Sequence, residues 1–170
     1  DVYMLSSYCL NELTAAARKS AVEQLWNAAE KLLVIIEPGT PEGFAQLREA
    51  RKQLIAMGGY VAAPCPTNGE CKLPEDDWCH FTARVARSRL HKQLKGGDAP
   101  YEDEKFCFLA VSRIEMQGVA RIIRHPKIES GKITLRLCTA DGICDKLVTK
   151  KSPLFKAARK SDSGDSFGEI

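Results

Sequence analysis

The stretch LLVIIEPGTPEGF, from Leu32 to Phe44, indicates the fold of the first part of the chain. It opens with a continuous apolar run, Leu32 to Glu37, of the kind seen in parallel strands that helices cover on both faces. Turn residues follow, and Thr40 and Pro41 suit the N-cap and the first position of a helix. The stretch therefore predicts a buried strand that leads directly into a helix.

The same alternation of strand and helix continues on both sides of this stretch. Val2 to Ser6 reads as a buried parallel strand, and Thr14 to Lys31 as a helix with one apolar face. The helix after Thr40 should end at the glycines of MGGY, and Tyr60 to Ala63 should form a third strand. This order predicts a right-handed parallel sheet with crossover helices, the second half of a doubly wound, Rossmann-like α/β fold. The sequence contains no glycine-rich cofactor turn of that fold.

The pattern changes after residue 64. Arg84 to Lys95 is basic and looks helical, and Phe106 to Val111 is an apolar strand. Short alternating segments from Gly118 onward predict antiparallel strands, and the tail predicts a short helix followed by disorder. We therefore divide the chain into 1–64, the second half of a Rossmann-like domain; 65–112, a cysteine-rich loop with a basic helix and a strand; 113–150, a β extension; and 151–170, a basic tail.

The composition is that of an ordinary globular protein. The chain has 170 residues, 44% hydrophobic and 28% charged, which suffices for one domain with a core. No apolar run approaches the roughly 18 residues of a membrane span. The net charge of +3 is too small to establish a nucleic-acid partner by itself. Because the chain starts at Asp1 within a strand, we expect it to be the C-terminal part of a longer protein.

Three of the seven cysteines lie in one stretch, APCPTNGECKLPEDDWCHF. Five residues separate Cys65 from Cys71, and seven separate Cys71 from Cys79; Cys138 and Cys144 follow much later. Prolines stiffen the loop, and a stiff loop can hold thiolates at fixed angles around a metal. The uneven grouping favours metal or reactive chemistry over a disulfide framework.

The spacing leaves several interpretations open. Structural zinc sites use short CxxC or CxxxC knuckles, which this sequence lacks, whereas iron–sulfur clusters accept looser spacings. Reduced thiols in a proline-rich loop are the simpler alternative, and disulfides are a third. His80 is either a further ligand or a packing residue, and we interpret Cys9 and Cys107 as core cysteines.

Motifs along the whole chain resemble one family. SYCLNEL, LVIIEPGTPEGF, DWCHF, YEDEKFCFLAVSR and ARKSDSGDSF occur here in the order seen in the methyltransferase-like family of the mitochondrial and bacterial small ribosomal subunit. The resemblance implies a Rossmann-like class I methyltransferase fold with a 4Fe-4S cluster. It also implies the ligands, Cys65, Cys71, Cys79 and Cys138, with zinc in the same site as the alternative. It implies the mitochondrial matrix as the location, with the bacterial cytoplasm as the alternative.

The resemblance leaves catalysis uncertain. The family's cofactor-binding glycine turn would lie before Asp1, and mitochondrial members look like assembly factors. An active S-adenosylmethionine-dependent rRNA methyltransferase is therefore the alternative function. SYCLNEL corresponds to the region that lines the S-adenosylmethionine and substrate pocket, so Asn11 and Glu12 could face it; equally, Asn11 could only cap the next helix.

Basic residues form groups, and acids concentrate in PEDD and YEDE. Such segregation can create a positive face despite a small net charge, and Arg and Lys contact RNA phosphates. From the charges alone, an ordinary solvated surface is the slightly better interpretation. With the resemblance, we expect small-subunit rRNA and ribosomal proteins as partners and no membrane. The predicted RNA-binding residues are Arg84, Arg87, Arg89, His91, Lys92 and Lys95.

Overall fold

The computed structural model describes residues 2–87, 100–116 and 118–168. These residues form two β-sheets and three α-helices. The first part of the chain contains β1 (Tyr3–Ser7), a 3-10 turn (Leu10–Glu12), α1 (Ala15–Ala28), β2 (Leu32–Pro38), α2 (Pro41–Ala56), β3 (Tyr60–Ala63), β4 (Phe81–Ala86) and β5 (Tyr101–Ser112). The second part contains β6 (Arg121–Ile122), β7 (Lys127–Glu129), β8 (Lys132–Thr139), β9 (Gly142–Thr149) and α3 (Phe155–Lys160).

The first sheet is mixed. Its strand order is β1–β2–β5–β3, and β4 pairs with the first half of β5. β1 runs parallel to β2, whereas β5 runs antiparallel to β2, β3 and β4. β1, β2 and β3 therefore point the same way, as predicted, but β5 lies between β2 and β3. The prediction of an uninterrupted parallel sheet was wrong because a strand from later in the chain fills the central position.

The first core lies between this sheet and the two long helices. Trp26 of α1 and Leu54 of α2 are fully buried there, together with Leu33 and Ile35 of β2. Both helices begin at a threonine whose side chain accepts a backbone N–H, from Ala17 in α1 and from Gly43 in α2. This confirms the predicted N-cap at Thr40.

Two predictions about burial in this sheet were wrong. Side chains alternate along β2, so Val34 and Ile36 are only half buried on the face away from the helices. β1 was predicted to be a buried strand, but Tyr3 and Leu5 are both 65% exposed. The reason is that β1 pairs on one side only in the described sheet and presents one of its faces to solvent.

The second sheet is antiparallel throughout, as predicted for this part of the chain. β8 is its centre: β6 and β7 pair with one edge of β8, and β9 pairs with the other. Ile133, Leu135 and Leu137 of β8 form a second core against α3 and the tail. Phe167 is buried in that core, and Ser166 forms a β-bridge with Arg121. The prediction of disorder after α3 was therefore wrong for residues up to 168.

The prediction of a helix from Arg84 to Lys95 was also wrong for the part of this segment that the structure describes, residues 84–87. Arg84 lies in β4, opposite Asp103 of β5, and the two side chains form an ion pair. Strand pairing with the polar half of β5 outweighs the local helical preference. Residues 88–99 lie outside the described part of the chain. Among the described helices, none combines the length and hydrophobicity needed to cross a lipid bilayer.

Candidate metal centre

Besides Cys107 of β5, four cysteines line one cavity between the two sheets. They come from the loop after β3 and from β8, and we call this group the cysteine site: Cys65, Cys71, Cys79 and Cys138. The cavity offers about 50 Å³ to water-sized groups. One water needs roughly 10–15 Å³ by the same measure, so the cavity has room for a group larger than one water.

Hydrogen bonds to the beginning of β3 and from α2 fix the first half of the cysteine loop. Asn68 accepts the backbone N–H of Val61 at 2.7 Å and donates to the carbonyl of Gly59 at 3.3 Å. Arg51 of α2 donates to the carbonyls of Thr67 and Gly69 at 2.7 and 2.6 Å. These contacts place the segment between Cys65 and Cys71 against α2.

Trp78 and its neighbours fix the second half of the loop. The indole Nε1 of Trp78 donates to the carbonyl of Gly39 at 3.0 Å, which ties the loop to the turn before α2. Arg124 pairs with Asp77 and donates to the carbonyl of Trp78 at 3.2 Å. The loop that carries Cys79 is thereby connected to the second sheet.

Two further contacts bring Cys138 towards the loop. Arg121 pairs with Cys138 across β6 and β8, and its Nε donates to the carbonyl of Pro64 at 3.3 Å. Gly118 lies against Pro66 so closely that an added Cβ would stand 1.9 Å from the Pro66 carbonyl oxygen. The second sheet therefore approaches the loop directly beside Cys65.

Burial and proximity favour the neutral thiol form of Cys65, Cys79 and Cys138. Burial raises the pKa of Cys79, and the neighbouring Cys65, Cys138 and Cys71 raise it further. Burial, with Cys65 and Cys71, raises the pKa of Cys138 to about 11. The pKa of Cys65 is also raised by burial, although the charge of Arg51 opposes this. These effects show that the four sulfurs lie within electrostatic range of one another, and a bound cation would have to displace their protons.

The environment of Arg51 indicates whether the residues that line the cavity fit an anionic group. Its side chain lines the same cavity and is 7% exposed, and its Nε–H has no hydrogen-bond acceptor of good geometry among the described residues. The guanidinium lies close enough to Cys65 for its charge and a side-chain hydrogen bond to lower the pKa of that thiol, against the rise that burial causes. Buried donors without an acceptor are rare and costly. Cysteine ligands together with an orphaned donor and a buried positive charge fit a thiolate-bound group. The described residues hold no group of three His, Cys, Asp or Glu side chains placed to share one metal ion.

The remaining cysteines and His80 have other environments. Cys144 is exposed on β9. Cys107 is buried in β5, as predicted, and also lines the cavity. Cys9 was wrongly predicted as core: it is exposed after β1, where its Sγ donates to the carbonyl of Ser7. His80 stacks on Trp78, and burial lowers its pKa, so its environment is that of a packing residue.

Asn11 and Glu12 lie in the 3-10 turn after β1. Asn11 accepts a hydrogen bond from Gln46 at 3.3 Å, and Thr14 rather than Asn11 caps α1. The alternative role of Asn11 as that cap was therefore wrong. Tyr8, just before the turn, has a left-handed backbone with φ of 54°.

Of the predicted RNA-binding residues, only Arg84 and Arg87 are described. Arg84 is exposed and contacts Asp103 at 2.9 Å, whereas Arg87 is mostly buried beside Glu102 at 3.2 Å. Both guanidinium groups therefore already form an ion pair with a carboxylate. Arg89, His91, Lys92 and Lys95 lie outside the described residues.

Sequence reasoning missed Arg51. It occupies the stripe of α2 that also buries Leu47 and Leu54, at helical spacings of four and three residues. A charged residue within an apolar stripe is unusual unless it has a partner. The sequence therefore contained a signal that Arg51 is unusual, but it did not indicate which residues Arg51 contacts.

The pattern of one protein family matches nearly the whole chain. The family is described as "Mitochondrial small ribosomal subunit Rsm22", and the match covers residues 2–168. The human "Ribosome assembly protein METTL17, mitochondrial" is 27% identical over 180 residues, which are 95% of this chain and 38% of the human protein. The "Rsm22-cox11 tandem protein 2, mitochondrial" of Schizosaccharomyces pombe is 21% identical over 195 residues, 86% of this chain and 26% of that protein. The chain thus spans well under half the length of these relatives.

Proposed function

Because this chain belongs to the Rsm22 family of the mitochondrial small ribosomal subunit, we propose that it binds the rRNA of that subunit and supports its assembly and translation. The family confirms the resemblance seen in the sequence, and the relatives' names confirm the predicted mitochondrial location. The human relative is named a ribosome assembly protein, which supports the same role here. The chain covers 38% of that relative, so the activity of the whole protein is part of the proposal.

A structural 4Fe-4S cluster belongs to this proposal, and one observation carries it. Three thiols from the loop after β3 and one from β8 converge on a single cavity. When bound, such a cluster takes one thiolate from each of four cysteines. The residues that hold it would join the first sheet to the second, so its role would be to fix the two parts of the chain relative to each other.

The rRNA-binding role rests on the family and on the distribution of charge. Exposed cations on β4 and in the tail could contact phosphates, which supply most of the non-specific affinity for RNA. Small-subunit ribosomal proteins are the further proposed partners. The proposed fold is the C-terminal part of a Rossmann-like methyltransferase domain, which three strands of common direction and two intervening helices support.

Metal analysis of the full-length protein tests the cluster. Anaerobic purification should give about four irons and four sulfides per chain with broad visible absorbance. Cys138→Ser should lose that signal, whereas the matched Cys144→Ser, at an exposed thiol six positions further along the chain, should keep it. If the protein contains one zinc and no iron, the zinc alternative replaces the cluster. If it contains neither metal, the metal site is no longer part of the proposal.

An S-adenosylmethionine-dependent rRNA methyltransferase is the second candidate, favoured by the backbone at Tyr8. A non-glycine residue with positive φ is uncommon and clusters at functional sites. Tyr8 follows the carboxyl end of β1, where doubly wound sheets bind ligands. Asn11 and Glu12 would lie beside that ligand. Calorimetric titration of the full-length protein with S-adenosylmethionine tests this candidate, and no binding heat for protein that still binds rRNA would exclude it.

A further inference from the structure

Arg51 is a buried cation without an anionic partner in the described part of the chain. Its guanidinium donates to the neutral carbonyls of Thr67 and Gly69, and no described carboxylate forms an ion pair with it. A guanidinium keeps its charge at all ordinary pH values, and burying a charge is costly unless it is paired. No carboxylate of the described residues therefore neutralises this buried positive charge.

The position of Arg51 shows where a counter-ion would lie. Its side chain lines the cavity of the cysteine site, and the orphaned Nε–H belongs to the same buried head group. Other cations near the site are placed differently. Arg48 of α2 also lines the cavity, but it is partly exposed and its guanidinium lies over the ring of Phe44. Arg124 is paired with Asp77, and Arg121 donates to the carbonyls of Pro64 and Gly164 from a partly exposed position. Arg51 is thus the buried cation of this cavity that α2 supplies.

We propose, on the basis of the cluster function above, that Arg51 is a positioning residue that holds the cysteine loop and supplies the buried counter-charge of the cluster. Two of its hydrogen bonds fix the loop between Cys65 and Cys71, and its charge and Nε–H act on the group that the thiolates hold. In this role Arg51 sets the reduction potential of the cluster and slows its release.

The direction of the effect follows from electrostatics. A cluster with four thiolate ligands is negatively charged and becomes more negative when it accepts one electron. A nearby buried cation stabilises the reduced form more than the oxidised form, and the low dielectric of the interior strengthens this difference. Net charge and hydrogen bonds to sulfur are established determinants of cluster potentials. Loss of the Arg51 charge should therefore shift the midpoint potential to a more negative value.

Protein-film voltammetry of the anaerobically purified full-length protein measures this shift. Arg51→Met removes the charge and keeps an apolar side chain, whereas Arg51→Lys keeps the charge without the planar fork. Lys52→Met is the matched control because it removes an exposed charge from the neighbouring position of α2. We expect a more negative midpoint in Arg51→Met, a midpoint close to wild type in Arg51→Lys, and no change in Lys52→Met. The rate of iron release to a chelator should rise several-fold in Arg51→Met and remain unchanged in Lys52→Met.

The outcomes separate this inference from the cluster itself. Wild-type protein without iron and sulfide would overturn the proposed function. A loaded Arg51→Met protein with the wild-type midpoint would overturn the counter-charge alone. If Arg51→Met does not bind the cluster, cluster binding by Arg51→Lys decides between the explanations. An Arg51→Lys protein that binds the cluster supports the counter-charge role. An Arg51→Lys protein that also fails to bind the cluster overturns that role, because the shape of the side chain is then what matters.

Discussion

Cys65, which follows β3 of the first sheet, and Cys138, on β8 of the second sheet, line the same cavity. They are far apart in the sequence, and the backbone between them forms β4, β5 and most of the second sheet. A group bound to both sulfurs would cross-link the two halves of the chain. If a cluster binds there, as proposed, its binding would be coupled to the mutual position of the sheets.

The first prediction concerns this cross-link. Removing the cluster by Cys65→Ser or Cys138→Ser should lower the free energy of unfolding by similar amounts. Because the unfolded chain does not hold the cluster, each loss reports the free energy with which the folded chain binds it, which should amount to several kcal/mol. The double variant should cost no more than either single one, because each already abolishes the cross-link. Anaerobic urea unfolding measures these values, with Cys144→Ser as control; additive losses would contradict a shared cross-link.

Gly118 gives a second prediction about the junction beside Cys65. An added Cβ would stand 1.9 Å from the Pro66 carbonyl oxygen, so Gly118→Ala must push the loop and the second sheet apart. We expect a loss of about 1–3 kcal/mol of stability, as for overpacked sites, and faster release of iron to a chelator.

Gly69→Ala is the matched control for Gly118→Ala. It lies in the same cysteine loop, and its nearest contact, the Thr67 hydroxyl, is 3.4 Å from the added Cβ. Thermal unfolding and chelator assays should leave this variant close to wild type. Equal effects of the two substitutions would show that the close approach at Pro66 has no special importance.

Local rules sufficed to predict the segment around β2 and α2. An apolar β-branched run, a threonine N-cap and a following proline specify a strand and a helix start without reference to the rest of the chain. The cysteine ligand set was likewise proposed from motifs, and the structure brings those four residues to one cavity. Whether they bind a cluster stays a prediction.

Long-range pairing explains what sequence reasoning missed. β5 was predicted only from Phe106, because its first half, YEDEK, has no apolar alternation. Pairing with β4 extends the strand to Tyr101 and turns the basic segment at Arg84 into a strand as well. The insertion of β5 between β2 and β3, and the contact of Arg51 with the cysteine loop, likewise depend on distant partners.

Arg84 and Asp103 give a third prediction, about RNA. Their side chains form two hydrogen bonds at 2.9 and 3.2 Å on the exposed surface, and Arg84 lowers the pKa of Asp103. Asp103 competes with an RNA phosphate for the guanidinium. If Arg84 contacts rRNA, Arg84→Gln should weaken binding and reduce the salt slope by about one. Asp103→Asn should strengthen binding instead.

Filter binding of a small-subunit rRNA transcript over a range of salt concentrations measures both changes. Arg87→Gln serves as a comparison, because Arg87 is mostly enclosed beside Glu102 and should contribute less to phosphate binding. If Arg84→Gln and Asp103→Asn both leave the affinity unchanged, this part of β4 does not face the RNA.

The fourth prediction uses the buried thiol of Cys107. Burial, with the charge of Glu37, raises its pKa from an ordinary value of 9.0 to about 12. Below pH 9 the thiol is protonated in both the folded and the unfolded state, so it adds no pH dependence. Above pH 9 the unfolded state loses the proton first, so the free energy of unfolding falls by about 1.4 kcal/mol per pH unit until the folded thiol also ionises.

Cys107→Ala removes this dependence, so the stability advantage of the wild type over the variant should shrink by about 1.4 kcal/mol per pH unit above pH 9. Anaerobic urea unfolding of the reduced, metal-free protein at several pH values measures the difference, in which titrations common to both proteins cancel. Cys9→Ala is the control, because Cys9 is exposed and its thiol remains solvated in the folded state. A Cys107→Ala difference that stays constant from neutral pH into this range would mean that the folded protein does not hold the proton on Cys107, and that the end of β2 is more open to water than its packing against β5 indicates.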